Sequence, residues 1–348
     1  MADRFHKFIG LCVVVLCIFV CVYMLFALFF QSSKKDGISF DVFEGESVAA
    51  LSTRLFEEGV ILHPQFFRRY VAFKDIDRKI HTGTFFVEGK VTIQGVANAL
   101  ATVATREERS ITIIPGWNVR DVAAYIEKED IGTKKQVYAL LGEPLSRNVF
   151  AAGTPSLGNT LTLISHKPGD LGFEGYLAPD TYRVFSDATL EDIFEKLLIH
   201  RDAQFTDTMY ADIKQSGRTV HEVMVLASIL EREVRTDVDR AIVADLFWRR
   251  YDLGWALQAD STVHYVVGTN GSVFTTPKDR DTDSLWNTYE YPGLPPGPIS
   301  FPSLSSIQAA IYPQSNEYWY FLTTLDTGDV KYAKTLEGHN RNVATYLR

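Results

Sequence analysis

The longest apolar run in the chain extends from Phe8 to Phe30 without a charged residue. At about 1.5 Å per residue it would reach about 34 Å, more than a hydrocarbon core of about 30 Å. It exceeds the ~7–15-residue apolar stretch of a cleaved leader, and it ends in Phe29-Phe30-Gln31 with no small-residue cleavage site. The run therefore predicts a single transmembrane helix over 8–30, with 1–7 as a cytoplasmic tail. Arg4 and Lys7 precede it and Lys34 and Lys35 follow it, so the basic residues do not orient it.

Beyond a polar hinge at 32–37, the hydrophobic period changes repeatedly. Alternation predicts a strand at Ile38–Phe43, a turn at Glu44-Gly45-Glu46, and a helix capped by Ser47 and stopped before Gly59. A second helix begins near His63-Pro64. The same order of strand, glycine turn and amphipathic helix recurs at Ser110–Ile114, Pro115-Gly116 and Val119–Glu127, a weak internal repeat. Residues 142–172 are rich in Gly, Pro, Ser, Thr and Asn and predict a long irregular connection. Helical patterns follow at Thr189–Gln215, Val220–Val234 and Asp239–Tyr251. Aromatic strand-like pieces and a last helix after Leu336 complete the chain. The fold class predicted is α+β, with a central buried helix in the larger domain.

Composition narrows the function. With Lys+Arg 35 against Asp+Glu 43, and no basic tract, nucleic-acid binding is set aside. All 3 cysteines, Cys12, Cys17 and Cys21, fall inside the apolar run. No disulfide, thiolate metal site or cysteine nucleophile is therefore available after it. His221-Glu222 opens like a zinc-protease motif, but Val225 stands where the second histidine would be. No phosphate-binding glycine loop or serine-nucleophile motif is present, and neither metal nor cofactor is expected.

The segment Val220–Val234 carries the chemistry. At about 100° per residue, Glu231 falls about 20° from Val220, on a stripe shared with Met224, Ala227 and Val234, whereas Glu222 and Glu233 point the other way. A carboxyl on such a stripe has two readings. It either pairs with an arginine, for which Arg232, Arg249 and Arg250 are available, or it sits desolvated in a cleft, where a raised pKa suits a general acid. Three polar loops accompany it. They hold Glu174, Asp180 and Tyr182; Gln258, Asp260 and Thr262; and Asn287 and Tyr289, the last ahead of Gly293–Ile299. Loops that mix aromatic faces with hydrogen-bonding edges suit sugar rings, although each alone could be a tight structural turn.

The segments FEGYLAPDTY, ASILERE, LQADSTVHY, NTYEYPGLPPGPI, FPSLSSIQAAIYP and TLEGHN occur in order over 172–340. Together they resemble the YceG-like (MltG) family, membrane-anchored endolytic transglycosylases of bacterial peptidoglycan. The resemblance implies a small LysM-like module over 37–107 and a catalytic domain over 108–348. It also implies that the glutamate of ASILE, Glu231, is the catalytic acid/base, with the three loops contacting substrate. The implied reaction cleaves the bond between N-acetylmuramic acid and N-acetylglucosamine without water and leaves a 1,6-anhydromuramyl end. One carboxyl suffices for it, unlike the pair used by common hydrolases. Ser261, Trp286 and Val330 stand where the family commonly has proline, tyrosine and histidine, departures that bear on substrate contacts. The implied partners are glycan strands, the cytoplasmic membrane and peptidoglycan synthases. The implied location is that membrane, N-terminus inside and catalytic domain outside. A non-catalytic glycan-binding scaffold and a hydrolytic muramidase are the alternatives.

Overall fold

The computed structural model describes residues 13–20, 22–23, 37–43, 45–78, 80–87, 90–101, 108–147, 157–268 and 275–347. They divide into two compact units, Met1–Glu108 and Arg109–Arg348. Among the described residues no helix is long and apolar enough to cross a membrane. Helix is found at 13–20 and 22–23. The expected transmembrane helix over 8–30 is corrected on that ground, and the remainder of that run lies outside the described residues, as does Glu44 of the expected turn.

In the first unit, β1 (Ile38–Val42) pairs antiparallel with β2 (Gly83–Val87), bringing Phe40 opposite Phe85. Alternate residues Phe40, Val42, Phe85 and Val87 are buried, as the two-residue period of a half-buried strand requires. Two helices, Val48–Glu57 and Pro64–Phe73, lie between the strands in sequence, and Ile93–Ala101 follows. Ser47 caps the first by accepting from the Ala50 amide at 3.2 Å. Pro64 opens the second, where its missing N–H costs nothing.

The larger unit is α+β, as the patterning implies. β3 (Glu108–Thr112) lies beside β4 (Thr181–Phe185), and β5 (Tyr320–Thr323) pairs antiparallel with β6 (Val330–Ala333). The helical pattern over 189–215 resolves into Leu190–Ala203 and Asp207–Gln215. It breaks because Thr206 takes an extended conformation and its hydroxyl accepts from the Met209 amide at 3.2 Å, capping a new helix.

At the centre is Val220–Glu233, with every residue from Val223 to Leu230 buried. Thr219 caps it in a reciprocal box with Glu222. It packs against Asp237–Asp252 and Leu304–Ile311. Ser228 ties it to the proline-rich turn: its hydroxyl donates to the Val225 carbonyl at 2.7 Å and accepts from the Ile299 amide at 3.0 Å, while its own carbonyl accepts from the Ser300 hydroxyl at 2.9 Å. The same turn presses on Gly175, whose φ is +84°; a Cβ there would lie 2.4 Å from the Cβ of Pro298. Only glycine allows that approach.

Candidate functional site

The central helix delivers two carboxyls at its C-terminal end, and their surroundings differ. Glu231 is saturated. Its Oε1 accepts from Arg240 Nη2 at 3.1 Å. Its Oε2 accepts from the Ser303 amide at 2.8 Å, the Ser303 hydroxyl at 2.5 Å and the Ser306 hydroxyl at 2.7 Å. Only 6% of the Glu231 side chain and 11% of the Arg240 side chain are exposed. These four donors, one of them the buried counter-ion Arg240, occupy both carboxyl oxygens. The arginine reading is the one the geometry follows, and the arginine is Arg240. Arg232 donates instead to the Gly116 carbonyl at 2.9 Å, and Arg250 to the Leu257 carbonyl at 2.6 Å.

Glu233, the last helical residue, accepts at Oε1 from the Ser261 amide at 3.1 Å. Burial raises its pKa, and the charge of Asp260 adds to the effect; hydrogen bonding from Ser261 and the charge of Arg232 oppose it. The negative end of the helix dipole acts in the same direction as burial. Both carboxyls border a cleft of about 790 Å³, within the range of small-molecule and sugar sites.

Gln258, Asp260 and Tyr289 line this cleft, as the sequence pattern implies. Asp260 Oδ1 accepts from the Tyr289 hydroxyl at 2.8 Å and from the Thr275 hydroxyl at 2.7 Å. Gln258 has a φ of +54°, uncommon for a residue with a side chain, and its amide donates to the Thr288 carbonyl at 3.1 Å. Ser261, one of the residues that departs from the family pattern, supplies the amide that holds Glu233.

The other expected substrate residues are elsewhere. Thr262 is buried, with its hydroxyl on the Ala259 carbonyl and 2.9 Å from the hydroxyl of Thr288. Asn287 is fully buried and donates to the carbonyls of Arg280 and Thr282. Tyr182 is buried and donates to the Ala178 carbonyl at 2.6 Å. Asp180 is exposed and caps its own strand through the Thr181 amide. Glu174 lines a separate small cavity and accepts from the Val119 amide at 3.1 Å and the Tyr265 hydroxyl at 3.0 Å. Burial pushes its pKa up to about 8, and those hydrogen bonds oppose the rise.

The cleft is also lined by Glu233, which the wheel turns away from the Glu231 stripe, and by Arg280 and His339, which the sequence reading does not single out. Arg280 lies 5.5 Å from the Tyr289 ring centre, and the His339 ring stacks on Tyr320 at 5.5 Å. The signal that points to Glu233 is its position as the final residue of the helix, where a side chain reaches past the packed stripe.

The chain belongs to the YceG-like family, whose model matches residues 40–345. It is 31% identical over 319 residues to the endolytic murein transglycosylase of Bacillus subtilis (strain 168), covering 91% of this chain and 87% of that protein. To the endolytic murein transglycosylase of Streptococcus pneumoniae serotype 2 (strain D39 / NCTC 7466) it is 26% identical over 332 residues, covering 91% of this chain and 60% of that longer protein. Among solved structures, a YceG-like protein from Listeria monocytogenes superposes with a TM-score of 0.55 at 28% identity, covering 88% of this chain and 99% of that one.

Proposed function

We infer that this protein is an endolytic murein transglycosylase, a lyase that cuts the β-1,4 bond between N-acetylmuramic acid and N-acetylglucosamine within peptidoglycan strands. The observation that carries its chemistry is the desolvated carboxyl of Glu233 at the edge of the 790 Å³ cleft. A carboxyl whose pKa is raised by burial is better suited to proton donation than an ordinary one. Glu231, the acid/base that the resemblance implies, accepts from four donors, one of them its counter-ion Arg240; on that contrast we assign the acid/base role to Glu233, with Glu231 anchoring the helix end.

In the reaction Glu233 protonates the departing O4 of N-acetylglucosamine as the bond from muramyl C1 to that oxygen breaks. The muramyl 6-hydroxyl then bonds to C1, and its proton returns to the Glu233 carboxylate. No water is consumed, and the product carries a 1,6-anhydro ring. Asp260, fixed by Tyr289 and Thr275, lines the same cleft, where a carboxyl suits the developing positive charge at C1.

The finer parts of the reading rest on chemistry and resemblance. Peptidoglycan lies outside the cytoplasm, so the catalytic unit is extracytoplasmic and works at the membrane face where new strands emerge. Synthases that polymerise those strands are its natural partners, and cutting within a strand ends its growth. The strand–helix–helix–strand order of Ile38–Val87 supports a LysM-like, glycan-positioning module.

Digestion of purified sacculi with the parent, Glu233→Gln and Glu231→Gln proteins, read by mass spectrometry, tests the proposal. Anhydro ends from the parent and none from a folded Glu233→Gln protein are expected. Reducing ends one water heavier would establish a hydrolytic muramidase, and binding without soluble products a scaffold.

A further inference from the structure

Arg280 lines the cleft that holds Glu233, yet no carboxylate among the described residues pairs with it. Its Nε is buried without a hydrogen-bond partner. The backbone that carries it is held firmly: the Arg280 carbonyl accepts from Asn287 Nδ2 at 2.7 Å, and its amide donates to the Thr276 carbonyl at 3.1 Å. The guanidinium lies 5.5 Å from the ring centre of Tyr289. That ring's hydroxyl is hydrogen-bonded to Asp260, the residue before Ser261, whose amide holds Glu233. On the same cleft His264 carries a second buried nitrogen, Nε2, without a partner. This wall therefore presents an unmatched guanidinium N–H and an unmatched imidazole nitrogen beside Glu233. Native proteins seldom leave buried donors unmatched unless something else supplies the acceptor. Of the other cleft arginines, Arg232 is committed to the Gly116 carbonyl and Arg250 to those of Leu257 and Trp319, while Arg235 lies against Gly328.

We propose that Arg280 is a specificity residue that binds a carboxylate carried by the muramyl residue beside the scissile bond. The inference rests on the transglycosylase reading. It adds that this enzyme distinguishes muramyl strands from uncharged N-acetylglucosamine polymers by charge as well as by shape. A planar fork of N–H donors, stacked on an aromatic ring, matches a carboxylate better than an ammonium does. Two sources offer that group: the lactyl carboxylate, free once the peptide has been removed, and the carboxylates of the attached stem peptide.

The test compares the parent enzyme with Arg280→Met and Arg280→Lys on three sets of strands. These are peptide-bearing strands, strands stripped by an amidase, and stripped strands whose lactyl carboxylates have been converted to methylamides. Arg280→Met is expected to lower kcat/KM by about ten- to a hundredfold, the value of a hydrogen bond to a charged group. The loss should fall mainly in KM, with partial recovery in Arg280→Lys. A loss on stripped strands that disappears on methylamidated strands assigns the lactyl carboxylate; a loss confined to peptide-bearing strands assigns the stem. Equal losses on charged and methylamidated stripped strands, with none larger on peptide-bearing ones, overturn the proposal, as does no loss anywhere. Should the parent release no anhydro products, the transglycosylase reading fails by itself. Calorimetric binding of the same strands to parent and Arg280→Met then decides the carboxylate site separately, with equal affinities overturning it.

Discussion

Glu231 and Arg240 form an ion pair at 3.1 Å in which both side chains are nearly closed to solvent. It joins the end of the central helix to the helix that follows, and three contacts from Ser303 and Ser306 extend the link to Leu304–Ile311. Breaking a buried pair by removing one partner typically costs about 3–5 kcal/mol, because the other charge is left uncompensated. Asp237, 2.9 Å from Arg240 Nη1, offsets part of that. Glu231→Ala should therefore lower stability by about 2–4 kcal/mol, read as a fall of several degrees in Tm. An unchanged Tm would show that the pair does not hold the helix end.

Glu233→Gln should do the opposite. It preserves shape and an acceptor for the Ser261 amide but removes the transferable proton. Activity should drop by about 10²–10⁴-fold or more, with circular dichroism and Tm close to the parent. Because burial raises the pKa of this group, the parent's cleavage rate should fall as pH rises through a value above the ordinary 4.5. A pH–rate profile without that limb would remove Glu233 from the role of acid.

Glu174 offers a separate pH measurement. Its carboxyl holds a proton more tightly in the folded than in the unfolded chain, since burial lifts the pKa from 4.5 to about 8. The folded state therefore binds more protons between these values, and stability falls as pH rises through that window. Below pH 4.5 the penalty is absent, and above pH 8 it is complete. Glu174→Gln should flatten the decline, so that the difference in Tm between variant and parent grows from pH 4.5 to pH 8. A constant difference would refute the assignment.

Tyr182→Phe distinguishes a core residue from a sugar contact. The hydroxyl is spent on the Ala178 carbonyl and His200 Nδ1, away from the cleft. Its loss should cost about 1 kcal/mol of stability and leave kcat/KM for strand cleavage at the parent value. A large change in KM would return Tyr182 to the binding surface.

The elements of the fold were legible where local chemistry decides them. Ser47, Thr219 and Thr189 announce helix starts by their own hydrogen bonds, and strand alternation identifies Phe40 and Val42 as core. Thr206 was not legible as a break, because the apolar pattern continues across it and only its cap interrupts the helix. In the site, Gln258 and Asp260 could be read from one polar sequence cluster and Tyr289 from another. Glu231 and Glu233 could not be sorted. A helical wheel ranks positions by angle, but both stand at the helix end and border the cleft, where the Ser303–Ser306 segment binds one carboxyl and the Ser261 amide the other. That allocation depends on Arg240 and Ser303, which periodicity does not connect to Glu231. Tyr182 and Asn287 looked like sugar-binding groups because a polar residue among glycines and prolines has the same composition whether it faces a ligand or closes a turn.

The contact between Gly175 and Pro298 constrains how this chain can change over time. Replacing Gly175 first would drive a new methyl group into the pyrrolidine ring, and replacing Pro298 first would relieve the crowding but leave a left-handed backbone that side chains resist. Neither order of single substitutions opens a smooth route away from glycine. Drift at this junction is more accessible through a change in loop length than through a change of residue, so a randomised library at position 175 should return glycine almost alone among active clones.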